Sequence, residues 1–335
     1  MAEYPTLTSA VEPIAFDEAV VAGAWLGDEP AFALADGTIA LGDGIHGRRP
    51  PAHPGAAILV AASDGRRFVT GGDDGRVVAT GADGEMETIA DEKGKWIDAL
   101  AMHEGALAWS AGKAVHARSA KGEQKSLDLP STCRGLAFFP KGFRLAAAHY
   151  NGATLWFPNA GKPEVLNWSG SHLDATISPD GRFLVTSMQE NTLHGWRVAD
   201  AKHMRMAGYP AKTRSFSWSF DGKWLATSGA DACIIWPFSG KDGPMGQQPR
   251  ECGVASVMVT RVAFHPGALV VAIGFEDGLV MLARISDGSE ILVRRPSEDS
   301  KNARITTLAW DARGARLLFG AENGEAGTLM LPKAA

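Results

Sequence analysis

Gly42-Asp-Gly44-Ile-His-Gly47 follows the apolar run 38–41 and carries the G-x-G-x-x-G spacing. Glycines so placed let backbone amides approach a pyrophosphate, but only where the motif opens a helix after a strand. Here Arg48-Arg49-Pro50-Pro51 comes next, and a proline pair cannot continue a helix. The segment reads as a surface loop. Gly222-Lys223 leads to Trp224 and Gly240-Lys241 to Asp242, so no phosphate-binding P-loop is present. G-x-S-x-G does not occur, so hydrolysis lacks that nucleophile motif. Nine histidines stand singly, without H-x-x-x-H spacing. Cys133, Cys233 and Cys252 are odd in number and lack C-x-x-C spacing, so they read as buried thiols of a reducing compartment. Asn167-Trp-Ser169 fits a glycosylation sequon, but no secretory leader is legible at the N-terminus, and the expected location is the cytoplasm.

These residues sit in a chain of 335, 45% hydrophobic, 21% charged and 8% aromatic. That is apolar material enough for a core, with no signature of disorder. By length alone about two domains are expected. A net charge of −5 and no basic tract remove the footprint that nucleic-acid binding needs. An 18-residue apolar run is absent, so no membrane helix is expected. The 39 glycines call for many turns.

Those turns recur. Ser178-Pro-Asp-Gly181 returns as Ser219-Phe-Asp-Gly222, Phe139-Pro-Lys-Gly142 and His265-Pro-Gly267, combinations that preset a tight reversal. About ten residues on comes a second turn, such as Asp36-Gly37, Asp74-Gly75, Asn151-Gly152, Asp277-Gly278 or Asn323-Gly324, the strongest short-range signal for a hairpin. With Ala111-Gly112, Glu190-Asn191 and Ala230-Asp231, eight second turns follow one another at intervals of 37 to 47 residues. Strands alone at a period of about 40 residues are the spacing of a β-propeller blade. Length divided by eight gives about 42 residues per unit, so the chain reads as a single closed ring over 1–335. The last unit ends without an outer strand, which residues 6–16 are expected to supply, removing an open edge.

Asn151 to Trp156, Asn191 to Trp196 and Asp231 to Trp236 repeat one offset. Gly152-Ala-Thr-Leu-Trp156, Thr192-Leu-His-Gly-Trp196 and Ala232-Cys-Ile-Ile-Trp236 resemble the third strand of the WD40 repeat family, and Ser178-Pro-Asp-Gly181 resembles its first turn. The resemblance covers about residues 18–331. It departs from the family pattern in lacking every Trp-Asp ending and the Gly-His pair. Of the family's buried network only fragments are legible: Thr227, Asp231 and Trp236, and Ser187, Asn191 and Trp196. The resemblance implies an all-β fold, an eight-bladed β-propeller of four-stranded antiparallel blades closed by the N-terminal strand, with seven blades as the alternative.

It also implies a non-catalytic scaffold that binds a protein partner, with no cofactor, no metal, no nucleic acid and no membrane. The expected contact face combines the lead-in loops, with Trp96, Arg134, His172, Arg214, Arg261 and Arg304, and the turns joining second to third strands, with His149, Tyr150 and Phe275. Arg and aromatic residues are the types enriched at interface hot spots. The alternative is a propeller enzyme or a small-molecule or metal binder using the central channel, where Glu190, His149, Asp98 and Glu276 would converge. Residues 43–55, 237–256 and 294–303 exceed what the repeat needs and read as surface loops; 239–250 is either a specific contact or an insertion.

Overall fold

Second strands of the repeat units are built mostly of apolar and small residues, and both of their faces are covered. Phe183–Met188 is buried throughout, as are all but the first residues of Arg67–Gly72 and Arg316–Ala321. Outer strands such as Gln124–Asp128 are mostly exposed. A strand buried on two faces must lie between two other sheets, and a computed structural model of the chain, which describes residues 5–42, 47–298 and 301–332, shows that arrangement. Consecutive units pack face to face around a ring.

The apolar residues form layers between units and no single central core. One layer joins Phe183, Val185 and Met204 to Leu225 and Trp236. Another joins Ala272, Val280 and Leu282 to Ile305, Leu317 and Phe319. A Cβ on Gly71, Gly274 or Gly320 would come within 2.4–2.6 Å of Ile97, Ile305 or Val20, each in the first strand of the following unit. Only glycine permits this approach. Tryptophans at first-strand ends tie units together: Trp25 Nε1 donates to the Ala309 carbonyl, Trp310 Nε1 to that of Ala263 and Trp218 Nε1 to Thr176 Oγ1, at 2.9–3.0 Å.

All sheets are antiparallel. Counted by hydrogen bonds there are seven, five of four strands, one of three and one of six. The ring therefore has seven blades in that sense, the alternative count, and the expectation of eight separate blades is corrected. The cause is Glu164–Ile177, which runs without interruption from pairing with Leu145–Trp156 to pairing with Phe183–Met188. It serves as the outer strand of the fourth sequence unit and the inner strand of the fifth, so two units share one sheet. The first sheet is short by one strand, with Val20–Leu26, Glu29–Leu34 and Ile39–Leu41 only. Its edge is covered by chain that follows it, with Ile39 N donating to the Pro50 carbonyl and Leu41 N to that of Arg48, both at 3.0 Å. Of the G-x-G-x-x-G segment, residues 43–46 lie outside the described residues.

Closure follows the expectation. Val11–Ala15 pairs with Glu325–Met330 from Val11↔Leu329 to Ala15↔Glu325, and Ile14 and Phe16 are buried against the first unit. A further strap was not legible in the sequence: Leu7 N donates to the Leu292 carbonyl at 2.7 Å and Leu292 N to that of Pro5 at 2.9 Å. The N-terminus thus binds the seventh unit as well as the eighth. Residues 239–250 fold back onto the fifth unit, where Asp242 meets Arg197 at 2.6 Å and Lys202 at 3.0 Å.

Candidate functional site at the channel mouth

One face is assembled by a recurring bond between each second turn and the connection that follows it. His53 N donates to the Gly37 carbonyl, Glu92 N to Gly75, Cys133 N to Gly112, Ala255 N to Asp231 and Ser297 N to Asp277, at 2.8–2.9 Å. Positive φ makes this geometry possible: Gly75 stands at 81° and Gly278 at 86°, with Asn151 and Asn191 at 66° and 54°. Turn and lead-in loop are therefore one surface.

Inside this face lie cavities of about 400 and 340 Å³, adjoining a third of about 780 Å³ that runs along the channel to Gly27, Gly65 and Ala312 in turns between first and second strands. Arg214 and Arg261 line all three. Arg261 is fixed by its backbone surroundings, with Nε donating to the Thr306 carbonyl at 2.6 Å and Nη1 to that of Thr260 at 3.0 Å. Burial, with Arg304 and Arg214 nearby, lowers its pKa to about 10 against the pull of Asp174, so it stays charged at neutral pH. Arg304 holds Glu276 at 2.6 Å, and Arg134 holds Asp98 at 3.0 Å. Among the described residues Asp174 has no such ion pair. Its Oδ1 accepts from Ala175 N at 2.8 Å, and burial raises its pKa to about 6.

Among the residues expected at the contact face, Trp96 and Tyr150 are 60% and 58% exposed. Arg134, Arg214, Arg261 and Arg304 line the cavities. Three expectations are corrected. His149 is buried, Nδ1 against the Tyr150 carbonyl and Nε2 against Thr154 Oγ1, both at 2.9 Å. His172 is buried between Thr186 Oγ1 at 2.7 Å and the Trp168 carbonyl at 3.0 Å. Phe275 is core, in the layer between the sixth and seventh units. These side chains point into the sheets because the strand period carries them inward, and they present nothing to a partner. Glu190, His149, Asp98 and Glu276 do not converge: among the described residues, no three His, Cys, Asp or Glu side chains group as a metal site.

Asp174 went unrecognised as a site residue in the sequence. The signal was present: Asp98, Asp174 and Arg261 each stand near the start of an otherwise apolar first strand, and each lines the channel. His53 was also missed. Its ring meets Asp74 at 3.0 Å and Thr70 Oγ1 at 2.9 Å, a buried network in the second unit.

The sixth unit holds a complete polar chain. Trp236 Nε1 donates to Tyr209 OH at 2.6 Å, Tyr209 OH bonds Thr227 Oγ1 at 2.7 Å, and Thr227 Oγ1 donates to the Ile234 carbonyl at 3.1 Å. Tyr209 takes the part that the fragment reading gave to Asp231, which is exposed. Residues 206–236 match the WD40 family model, described as WD domain, G-beta repeat. The resemblance to WD40 repeats holds. The computationally designed Ika8 protein, known from a crystal structure, aligns with 95% of this chain and 98% of its own at a TM-score of 0.75 and 17% identity. At that identity the likeness shows the propeller fold alone. No curated protein matches the sequence. WD40 propellers generally serve as protein-interaction scaffolds, and among the described residues no helix is long and apolar enough to cross a membrane.

Proposed function

We propose that this WD40-like propeller is a non-catalytic docking platform of the cytoplasm that holds a protein partner on the face built from lead-in loops and second turns. The observation that carries the reading is the pair of large aromatic side chains on that face, Trp96 and Tyr150, more than half exposed on backbone held by hydrogen bonds. Tyr150 N, for example, donates to Ser131 Oγ at 2.9 Å. Exposed aromatic groups on a rigid frame gain contact area at little entropic cost, the property that makes them interface anchors. Arg134, oriented by Asp98, supplies a polar contact between the third and fourth units.

Affinity capture from the native cell with the intact protein and with a Trp96→Ala/Tyr150→Ala variant tests this. A specific protein recovered by the first and lost by the second is expected, since a hot-spot truncation costs about 2 kcal/mol or more, roughly thirtyfold in affinity. Equal recovery by both, or no specific protein while the purified chain turns over a small molecule, would overturn the reading.

A further inference from the structure

The chain carries a net charge of −5, yet the 340 Å³ cavity at the channel mouth is lined by Lys212, Arg214, Arg261 and Arg304 against the single carboxylate of Glu276. Glu276 is already spent on Arg304. No side-chain hydrogen bond or ion pair of Lys212 or Arg214 is found among the described residues. Arg261 uses Nε and Nη1 on carbonyls, which leaves Nη2 as a free donor. The Asp174 carboxylate, which lines the adjoining cavity with Arg214 and Arg261, pulls on Arg261, so it and Glu276 together offset about half of the positive charge of these four side chains. The rest is costly to hold in a concave, partly desolvated site, and an anion there lowers the cost.

We propose that the channel mouth binds a doubly charged oxyanion, a phosphoryl group, between Arg214 and Arg261, with Lys212 and Arg304 flanking it. One negative charge would leave about half of the excess uncompensated, whereas a phosphate monoester carries about −1.5 to −2 at neutral pH and matches guanidinium forks. Arg214 supplies a fork unoccupied by other bonds, and Arg261 is pre-oriented by its two carbonyl contacts. The site is independent of the docking reading, because a small anion needs no partner protein.

The test is calorimetric titration of the full chain with inorganic phosphate at constant ionic strength, in parallel with a phosphoserine peptide and its unphosphorylated form. Saturable phosphate binding is expected, weakened at least about tenfold in Arg214→Ala and unchanged in Arg284→Ala, whose partner is the remote Asp287. A phosphopeptide that binds far more tightly than phosphate identifies the source as a partner segment; equal affinity identifies a free phosphate compound. Melting without phosphate separates this from a structural role: loss of one of three repelling charges leaves Arg214→Ala at least as stable as the parent, while the parent alone gains stability when phosphate is added. No saturable binding by the parent, or equal binding by Arg214→Ala, would overturn the proposal.

Discussion

Replacing Tyr209 by Phe removes one oxygen from the centre of the polar chain in the sixth unit. Direction in that chain is fixed at both ends, since the indole N–H of Trp236 only donates and the carbonyl of Ile234 only accepts. Tyr209 therefore accepts from Trp236 and donates to Thr227, which donates onward to Ile234. Burial pushes the Tyr209 phenol well above its usual pKa, so it remains a neutral donor across the working range. In Tyr209→Phe, Thr227 keeps its bond to Ile234 and loses only an incoming donor. The Trp236 N–H loses its sole partner in a site where the indole is 9% and the phenol 8% exposed. An orphaned buried donor costs about 1–3 kcal/mol, and about 2 kcal/mol is expected here. Trp236→Phe removes the orphan together with its donor, so the double variant loses less than the sum of the two single ones. The coupling in the cycle is expected to be about 1–2 kcal/mol. Urea unfolding followed by circular dichroism measures both quantities. A Tyr209→Phe cost below about 0.5 kcal/mol, or additivity within about 0.3 kcal/mol, would refute the directional chain.

Four further outcomes follow from the same structure. Phe16→Ala removes a ring buried to 6% and set 5.3 Å from Phe32 at the ring closure; it is expected to cost about 3–5 kcal/mol, and deletion of residues 1–17 is expected to open the ring. An unchanged melting temperature and monomeric behaviour in the truncated protein would show that closure does not depend on this strand. Asp174 has a folded pKa of about 6, above its usual 3.8, so the folded state binds its proton more tightly than the unfolded state does. The resulting penalty is absent below about pH 4 and complete above about pH 6, up to about 3 kcal/mol. Asp174→Asn should therefore stabilise the protein at pH 7.5 and have little effect at pH 4; equal effects at both would contradict the assignment. Gly37→Ala would set a Cβ 2.1 Å from the His53 carbonyl at a φ of 84°, and His53 is held by Asp74 and Thr70. A loss of about 2 kcal/mol or more is expected, and an unshifted melting curve would show that the loop yields.

Turn chemistry and strand alternation are local, and the sequence displayed them openly. Asp74-Gly75 and Asn323-Gly324 mark their hairpins because few other residue pairs tolerate the required φ, and the recurring interval fixed an all-β ring before any fold was seen. The unpaired edge after Met330 likewise pointed to residues 6–16 as the closing strand. Strand sharing was hidden, since nothing in the residues 164–177 distinguishes one long strand from two short ones separated by a loop.

The candidate site was legible only by residue type. Arg214, Arg261 and Arg304 were found because cations recurred in lead-in loops, whereas His172 in a lead-in loop, and His149 and Phe275 beside second turns, turn into the sheets. A strand period of two reverses a side chain with each residue, and a bulge such as that between His172 and Asp174 shifts the phase without a local signal. Which residues become core and which face the channel is thus set by how neighbouring units press together. The sequence by itself determined the repeat, the turns and the ring; the tertiary structure decided the number of separate sheets, the burial of His149 and His172 and the meeting of three arginines, because those depend on how neighbouring strands and units pack.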